Sequence, residues 1–82
     1  MNNVDLNNAL YETKDLAEAT ALIVKKQELA EVSRDGRICW FIFIDKKSCK
    51  AISDQFFFGE LLVNAREYYA TMTMLKGRIF NT

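Results

Sequence analysis

From Arg37 to Ile44 the chain reads Arg-Ile-Cys-Trp-Phe-Ile-Phe-Ile, a run with no charged position after its first residue. β-branched and aromatic residues of this kind fill a pleated strand well, and Asp35-Gly36 just before it suits the two positive-φ positions of a type I′ turn. The pattern predicts a hairpin in which residues 29–33 pair with 37–44. Successive strand side chains point to opposite faces, so Ile38, Trp40, Ile42 and Ile44 share one face and Cys39, Phe41 and Phe43 the other. Both faces are apolar, whereas a strand with a wet face alternates. This strand is therefore expected to be central and covered on both sides, or else open to a partner.

Around that strand the hydrophobic period turns helical. Thr13 is a suitable N-cap with Asp15 in the first turn, where a negative charge meets the helix dipole favourably. Leu16, Ala19, Ala21, Leu22 and Ile23 form a wide apolar face closed by Lys25-Lys26, which predicts a first helix over 14–26. Asp45 is placed to cap a second helix over 46–58, with Cys49, Ile52 and Phe56 on one side and Gly59 ending it. Phe56, Phe57 and Phe58 cannot all point inward from one turn, so at least one ring is expected at an edge. Asn64 with Glu67 makes a capping box, supported by a Val63 to Tyr68 staple. Ala65, Tyr68, Met72, Leu75 and Ile79 then repeat as a narrow stripe through a third helix over 65–80. Gly77 weakens its last turn by about 1 kcal/mol relative to alanine, which leaves residues 78–82 prone to fray unless Ile79 and Phe80 are buried. Residues 9–12 read as a short strand beside the hairpin, and residues 1–8 as a flexible arm with Val4 and Leu6 touching the surface.

The fold class expected is α+β, a small antiparallel sheet (29–33 with 37–44, and a short third strand over 9–12) packed on three helices in the order β-α-β-β-α-α. The 82 residues make one domain, of a size that buries only roughly 60% of its unfolded surface. One layer of helices is within reach of such a chain and two are not. A second copy or another protein on the remaining face follows as the expectation.

Charge adds little at the scale of the whole molecule, since 11 basic side chains balance 11 acidic ones. Locally the balance breaks. Residues 1–33 carry three basic against six acidic side chains, and residues 34–50 carry five (Arg34, Arg37, Lys46, Lys47, Lys50) against two. Lys46, Lys47 and Lys50 stand together at the start of the second helix, where they could hold a phosphate backbone with help from Phe57 or Tyr69.

Candidate chemistry is sparse. Histidine, the commonest general base and metal ligand, does not occur. Cys39 and Cys49 do not form a zinc set, and Gly36, Gly59 and Gly77 are too scattered for a phosphate loop. Glu12, Asp15, Glu18, Glu28 and Glu31 sit where solvated faces are expected, and Ser33, Ser48 and Ser53 have no base near them in sequence. No catalytic, metal or cofactor-binding residue is expected. The two cysteines read as free thiols of a reducing compartment. The N-terminal residues lack the basic and apolar regions of a leader, and no apolar run approaches a membrane span. The expectation is a soluble cytoplasmic protein.

Tyr11-Glu12-Thr13-Lys14-Asp15-Leu16, Asp35-Gly36-Arg37 through Trp40-Phe41-Ile42-Phe43, Gly59-Glu60, Leu75-Lys76 and Ile79-Phe80 carry a resemblance. From Tyr11 onward the chain resembles a family of small uncharacterised domains of phages, prophages and bacteria, catalogued as a domain of unknown function. The resemblance implies a viral or mobile-element setting and an accessory role, with no catalytic residue to carry over. The function expected is a non-enzymatic binding module, homodimeric, engaging a host or phage protein through Trp40, Phe41, Phe43, Phe57, Phe58 and Tyr69. The alternative is a small accessory nucleic-acid binder using Lys46, Lys47 and Lys50.

Overall fold

The computed structural model describes residues 9–80. Its elements are β1 (Tyr11–Thr13), α1 (Leu16–Val24), β2 (Leu29–Asp35), β3 (Ile38–Phe43), α2 (Lys46–Phe57) and α3 (Ala65–Phe80). This is the α+β architecture expected. The arm anticipated over residues 1–8 lies outside the described residues, as do residues 81–82 of the segment 78–82 anticipated to fray; residues 78–80 are helical although Phe80 is 80% exposed.

The sheet is antiparallel in the order β1-β3-β2, so the apolar strand is central and paired on both edges. β1 pairs Tyr11 with Phe43, Glu12 with Ile42 and Thr13 with Phe41. The ladder runs slightly further, with Lys46 N–H donating to Ala9 C=O at 2.9 Å. On the other side β2 pairs Asp35 with Ile38, Arg34 with Cys39, Ser33 with Trp40, Val32 with Phe41 and Glu31 with Ile42. There the register slips, and Leu29 rather than Ala30 pairs with Phe43, leaving Ala30 as an extra residue in the edge strand. Such a bulge bends and twists the strand that carries it.

The hairpin turn differs from the expected one. Because Asp35 pairs with Ile38, the two central residues are Gly36 and Arg37 rather than Asp35 and Gly36. Only Gly36 has positive φ, at 64°. A positive φ at the first central position alone fits a type II′ turn, whereas type I′ needs it at both. The glycine was the right signal, and its place in the turn moved by one.

α1 also starts later than expected. Thr13 belongs to β1, and the N-cap is Asp15, whose Oδ1 accepts from Glu18 N–H at 3.0 Å. Thr13 Oγ1 in turn accepts from Asp15 N–H at 3.1 Å. The helix ends with Lys26 N–H bonded to Ile23 C=O and Gln27 N–H to Leu22 C=O, the paired bonds of a Schellman motif. Lys26 occupies its left-handed position with φ 71°, where glycine is the usual occupant. α2 follows the expected plan closely. Asp45 caps it by accepting from Ser48 N–H at 3.2 Å, and Gly59 at φ 75° closes a second Schellman motif after the C-cap Phe58. In α3, Asn64 Oδ1 accepts from Glu67 N–H at 2.9 Å. The reciprocal arm of the box is replaced by a surface pair, Glu67 with Lys26 at 3.6 Å.

α1 is the middle helix, with α2 and α3 packed against it. It is buried nearly all round, and its Ala19, Thr20 and Ala21 are small enough to let three neighbours approach. The core gathers Ala19 and Leu22 from α1, Phe41 and Phe43 from β3, Cys49 from α2 and Leu75 from α3. All the helices lie on the Phe41 and Phe43 side of the sheet. The molecule is 18 Å across its thinnest dimension, room for a sheet and one layer of helices each about 10 Å in diameter.

Candidate functional site

Two places depart from what a small soluble domain ordinarily does. One is a carboxyl group in the interior. Glu18 is only 3% exposed, which overturns the expectation that it lies on a solvated face. Its Oε1 accepts from Thr13 Oγ1 at 2.6 Å, and its Oε2 from Tyr11 Oη at 2.5 Å and Ser53 Oγ at 2.6 Å. Ser53 therefore does have an acidic group beside it, contrary to the reading of the sequence. Both are buried, and they join β1, α1 and α2 rather than facing solvent. Burial, and then the bond to Glu18, push the Tyr11 phenol above its ordinary pKa. Every buried side-chain polar atom among the described residues has a partner, so this network acts as structure. It anchors β1, a strand of three residues, to the helical layer. Tyr11 and Thr13 point inward to reach Glu18, and strand alternation then sends Glu12 to the opposite face.

The other departure is that opposite face. Ile38 and Ile44 are 39% and 41% exposed, while Trp40 and Ile42 between them are half-buried. Across the ladder, Ile42 has Glu12 on one side and Glu31 on the other, Trp40 has Ser33, and Ile38 has Asp35. Alternation from Glu12 adds Leu10, itself exposed, at the Ile44 end. The result is an apolar stripe down the centre of the sheet with acidic residues on both flanks and, among the described residues, no helix above it. It is a surface rather than a cleft, and no enclosed pocket occurs among the described residues.

The residues singled out from sequence separate accordingly. Phe41 and Phe43, 1% and 0% exposed, form the centre of the protein's own core and are unavailable to a partner. The cause is that helices cover one face of β3 only, and these two rings are on that face. Trp40 remains on the uncovered one. Phe57 and Phe58 are exposed at the end of α2, and Tyr69 is exposed on α3. They belong to the helical layer and are not part of the stripe. Lys46, Lys47 and Lys50 are exposed at the first turn of α2, where Lys50 pairs with Asp54 at 3.6 Å.

Neither cysteine is in a disulfide. Burial, reinforced by Asp45 and Glu18, pushes the Cys49 thiol up to about 11, which makes it a core residue rather than a nucleophile. Among the described residues no helix is long and apolar enough to cross a membrane. The flanking residues Glu12, Glu31 and Asp35 were not picked out from sequence, although one signal was available. Each occupies a strand position opposite an Ile of the apolar run once the register is fixed. Compared with known protein families, curated proteins and solved structures, the chain matches none.

Proposed function

We propose that this protein is a non-enzymatic binding module whose working surface is the uncovered sheet face around Trp40. The single observation that carries the reading is that a central strand, normally the best protected part of a small sheet, together with the residue after it has a row of four large apolar side chains on which no helix of the described residues packs. Contiguous apolar patches rimmed by polar residues mark interaction sites. The setting implied by the resemblance is a phage or mobile element, with a host or phage protein as partner. A homodimer would use the same face, with a second copy as its cover.

The test is binding of a hydrophobic dye to the folded protein. Ile38→Ser with Ile42→Ser should abolish it while near-ultraviolet circular dichroism is retained, and Phe57→Ser with Phe58→Ser should leave most of it. Undiminished binding by the sheet-face variant removes the reading.

A second reading rests on Lys46, Lys47 and Lys50. Positive charge at a helix N-terminus opposes the dipole, so helix stability does not explain lysines there. They suit a phosphate backbone, and a salt titration of single-stranded and duplex DNA tests them. No binding at low salt ends this alternative.

A further inference from the structure

The flanks of the uncovered face say what kind of partner fits it. We propose that the face seats an amphipathic helix of another protein, laid along β3, with an apolar ridge on Trp40 and Ile42 and Lys or Arg residues on both sides of that ridge. The inference rests on the binding role proposed above and goes further by naming the partner's chemistry.

Charge is the first argument. Glu12 and Glu31 stand on opposite sides of Ile42, and Asp35 stands beside Ile38. All three are exposed, and none is in an ion pair among the described residues. Lys14, which the β1 register carries level with Trp40, and Arg37 in the turn lie on the Ile38 side of the acidic pair. Arg34, next to Asp35, donates to Ile79 C=O at 2.6 Å. Like charges brought together at an interface disfavour a partner, and complementary ones select it.

That argument also weighs against one of the two ways a second copy could lie on the face. A two-fold axis lying in the interface places β1 of one protomer over either β1 or β2 of the other, because β3 is in the middle. With the axis along β3, Glu12 of one copy meets Glu31 of the other; with the axis across β3, the acidic pair meets the end where Lys14 and Arg37 lie.

Size gives the second argument. β3, six residues long at about 3.4 Å each, sets a length of roughly 20 Å, and three strands about 4.8 Å apart, β1 covering only three residues of that length, set a width of at most about 14 Å. That outline is under about 300 Å², short of the roughly 800 Å² per partner of a stable interface, so the face by itself suits a slender element and not a broad surface, whichever chain supplies it. A helix of about 13 residues spans the same 20 Å and is about 10 Å wide, which matches the stripe. The complex would then have the covered β3 that the sequence calls for, with its second helical layer supplied in trans.

Trp40 is the protein's only tryptophan and reports on its own face. The full chain is titrated, by tryptophan emission, with three synthetic 14-residue peptides: an amphipathic helix flanked by lysines, the same helix flanked by glutamates, and a scrambled lysine peptide with no apolar ridge. The lysine-flanked helix should shift the emission to the blue and bind at least tenfold more tightly than either of the others. Glu12→Lys with Glu31→Lys, two exposed changes whose folding is checked by circular dichroism, should reverse the preference. Equal binding of lysine and glutamate helices overturns the charge inference and leaves the binding surface standing. Equal binding of the scrambled peptide overturns the helix. Concentration-dependent dimerisation that excludes the peptides assigns the face to a second copy. A large gain in peptide affinity on deleting residues 1–8 assigns it to the chain's own N-terminal segment. Loss of neither dye nor peptide binding in the Ile38→Ser, Ile42→Ser variant overturns the surface itself.

Discussion

Trp40 and Phe41 are neighbours in one strand, similar in size and chemistry, and their surroundings are opposite. Phe41 lies in a core closed by three helices, and the layer that buries it also buries a carboxyl group, Glu18, satisfied by three hydroxyls. Trp40 lies on a face where, among the described residues, no helix packs and the strand residues that carry charge stand at the flanks. The covered side has thus admitted an acidic side chain, while the uncovered side has excluded charge from its central stripe. The difference between the two sides is what supports the contact role proposed for the stripe.

The largest effect should come from the strand itself. Phe41→Ala or Phe43→Ala should cost about 3–5 kcal/mol, close to the lower end of about 5 kcal/mol for a whole domain, so urea melts should show the variants largely unfolded. Ile38→Ser, one strand position from the turn on the other face, should cost less than about 1 kcal/mol. Comparable losses at the two sites would erase the distinction between the faces.

Glu18→Ala comes next, at about 2–4 kcal/mol, because three buried hydroxyls lose their acceptor. Glu18→Gln should cost less, since an amide oxygen replaces one acceptor while its NH2 meets hydroxyls that must reorient. The loss should appear first in hydrogen exchange of β1, the strand this network anchors. A variant as stable as the parent would make the interior carboxyl incidental.

Alkaline pH probes the covered side alone. Cys49 ordinarily titrates near 9.0 and here near 11, and Tyr11 and Tyr68 are raised in the same direction, each first by burial. In the window between the two thiol values the folded chain holds the proton and the unfolded chain has lost it. Stability is therefore complete below about 9 and falls as pH rises to about 11, by on the order of 2 kcal/mol from the thiol. Cys49→Ala should flatten that limb of the stability curve.

The smallest effect is a gain. Lys26 holds the left-handed position that ends α1, and Lys26→Gly should raise stability by about 0.5–1 kcal/mol, net of glycine's added chain entropy. Its surface pair with Glu67 is exposed and contributes little. Because the change strengthens the helical layer only, the melting temperature should rise while dye and peptide binding at Trp40 stay as they were.

The parts legible in the sequence are those fixed by neighbours a few residues away. Asn64 and its stripe placed α3 over its observed span, and Asp45 with Gly59 bracketed α2 to within one residue. The start of α1 was ambiguous because Thr13 and Asp15 are both capping residues. Pairing of Thr13 with Phe41, a contact 28 residues distant, decided between them. Glu18 was misjudged for the same reason, as its hydroxyl partners come from β1 and α2. Which face of β3 would be covered was beyond reach of pattern, since both faces are apolar. Only the side from which the helices arrive settles it, and that moved Phe41 and Phe43 from the candidate surface into the core.

The extra residue at Ala30 has a consequence for the fate of such a molecule in a crowded solution. β2 is a seven-residue outer strand beside an apolar face, a combination that in regular form would template fibre growth, one chain adding to the next. The irregular ladder at Leu29 and Glu31, with Arg34 and Asp35 further along, denies a neighbour the straight row of amides it would need. Removing Ala30 would restore that row and open the outer strand to pairing with the next copy.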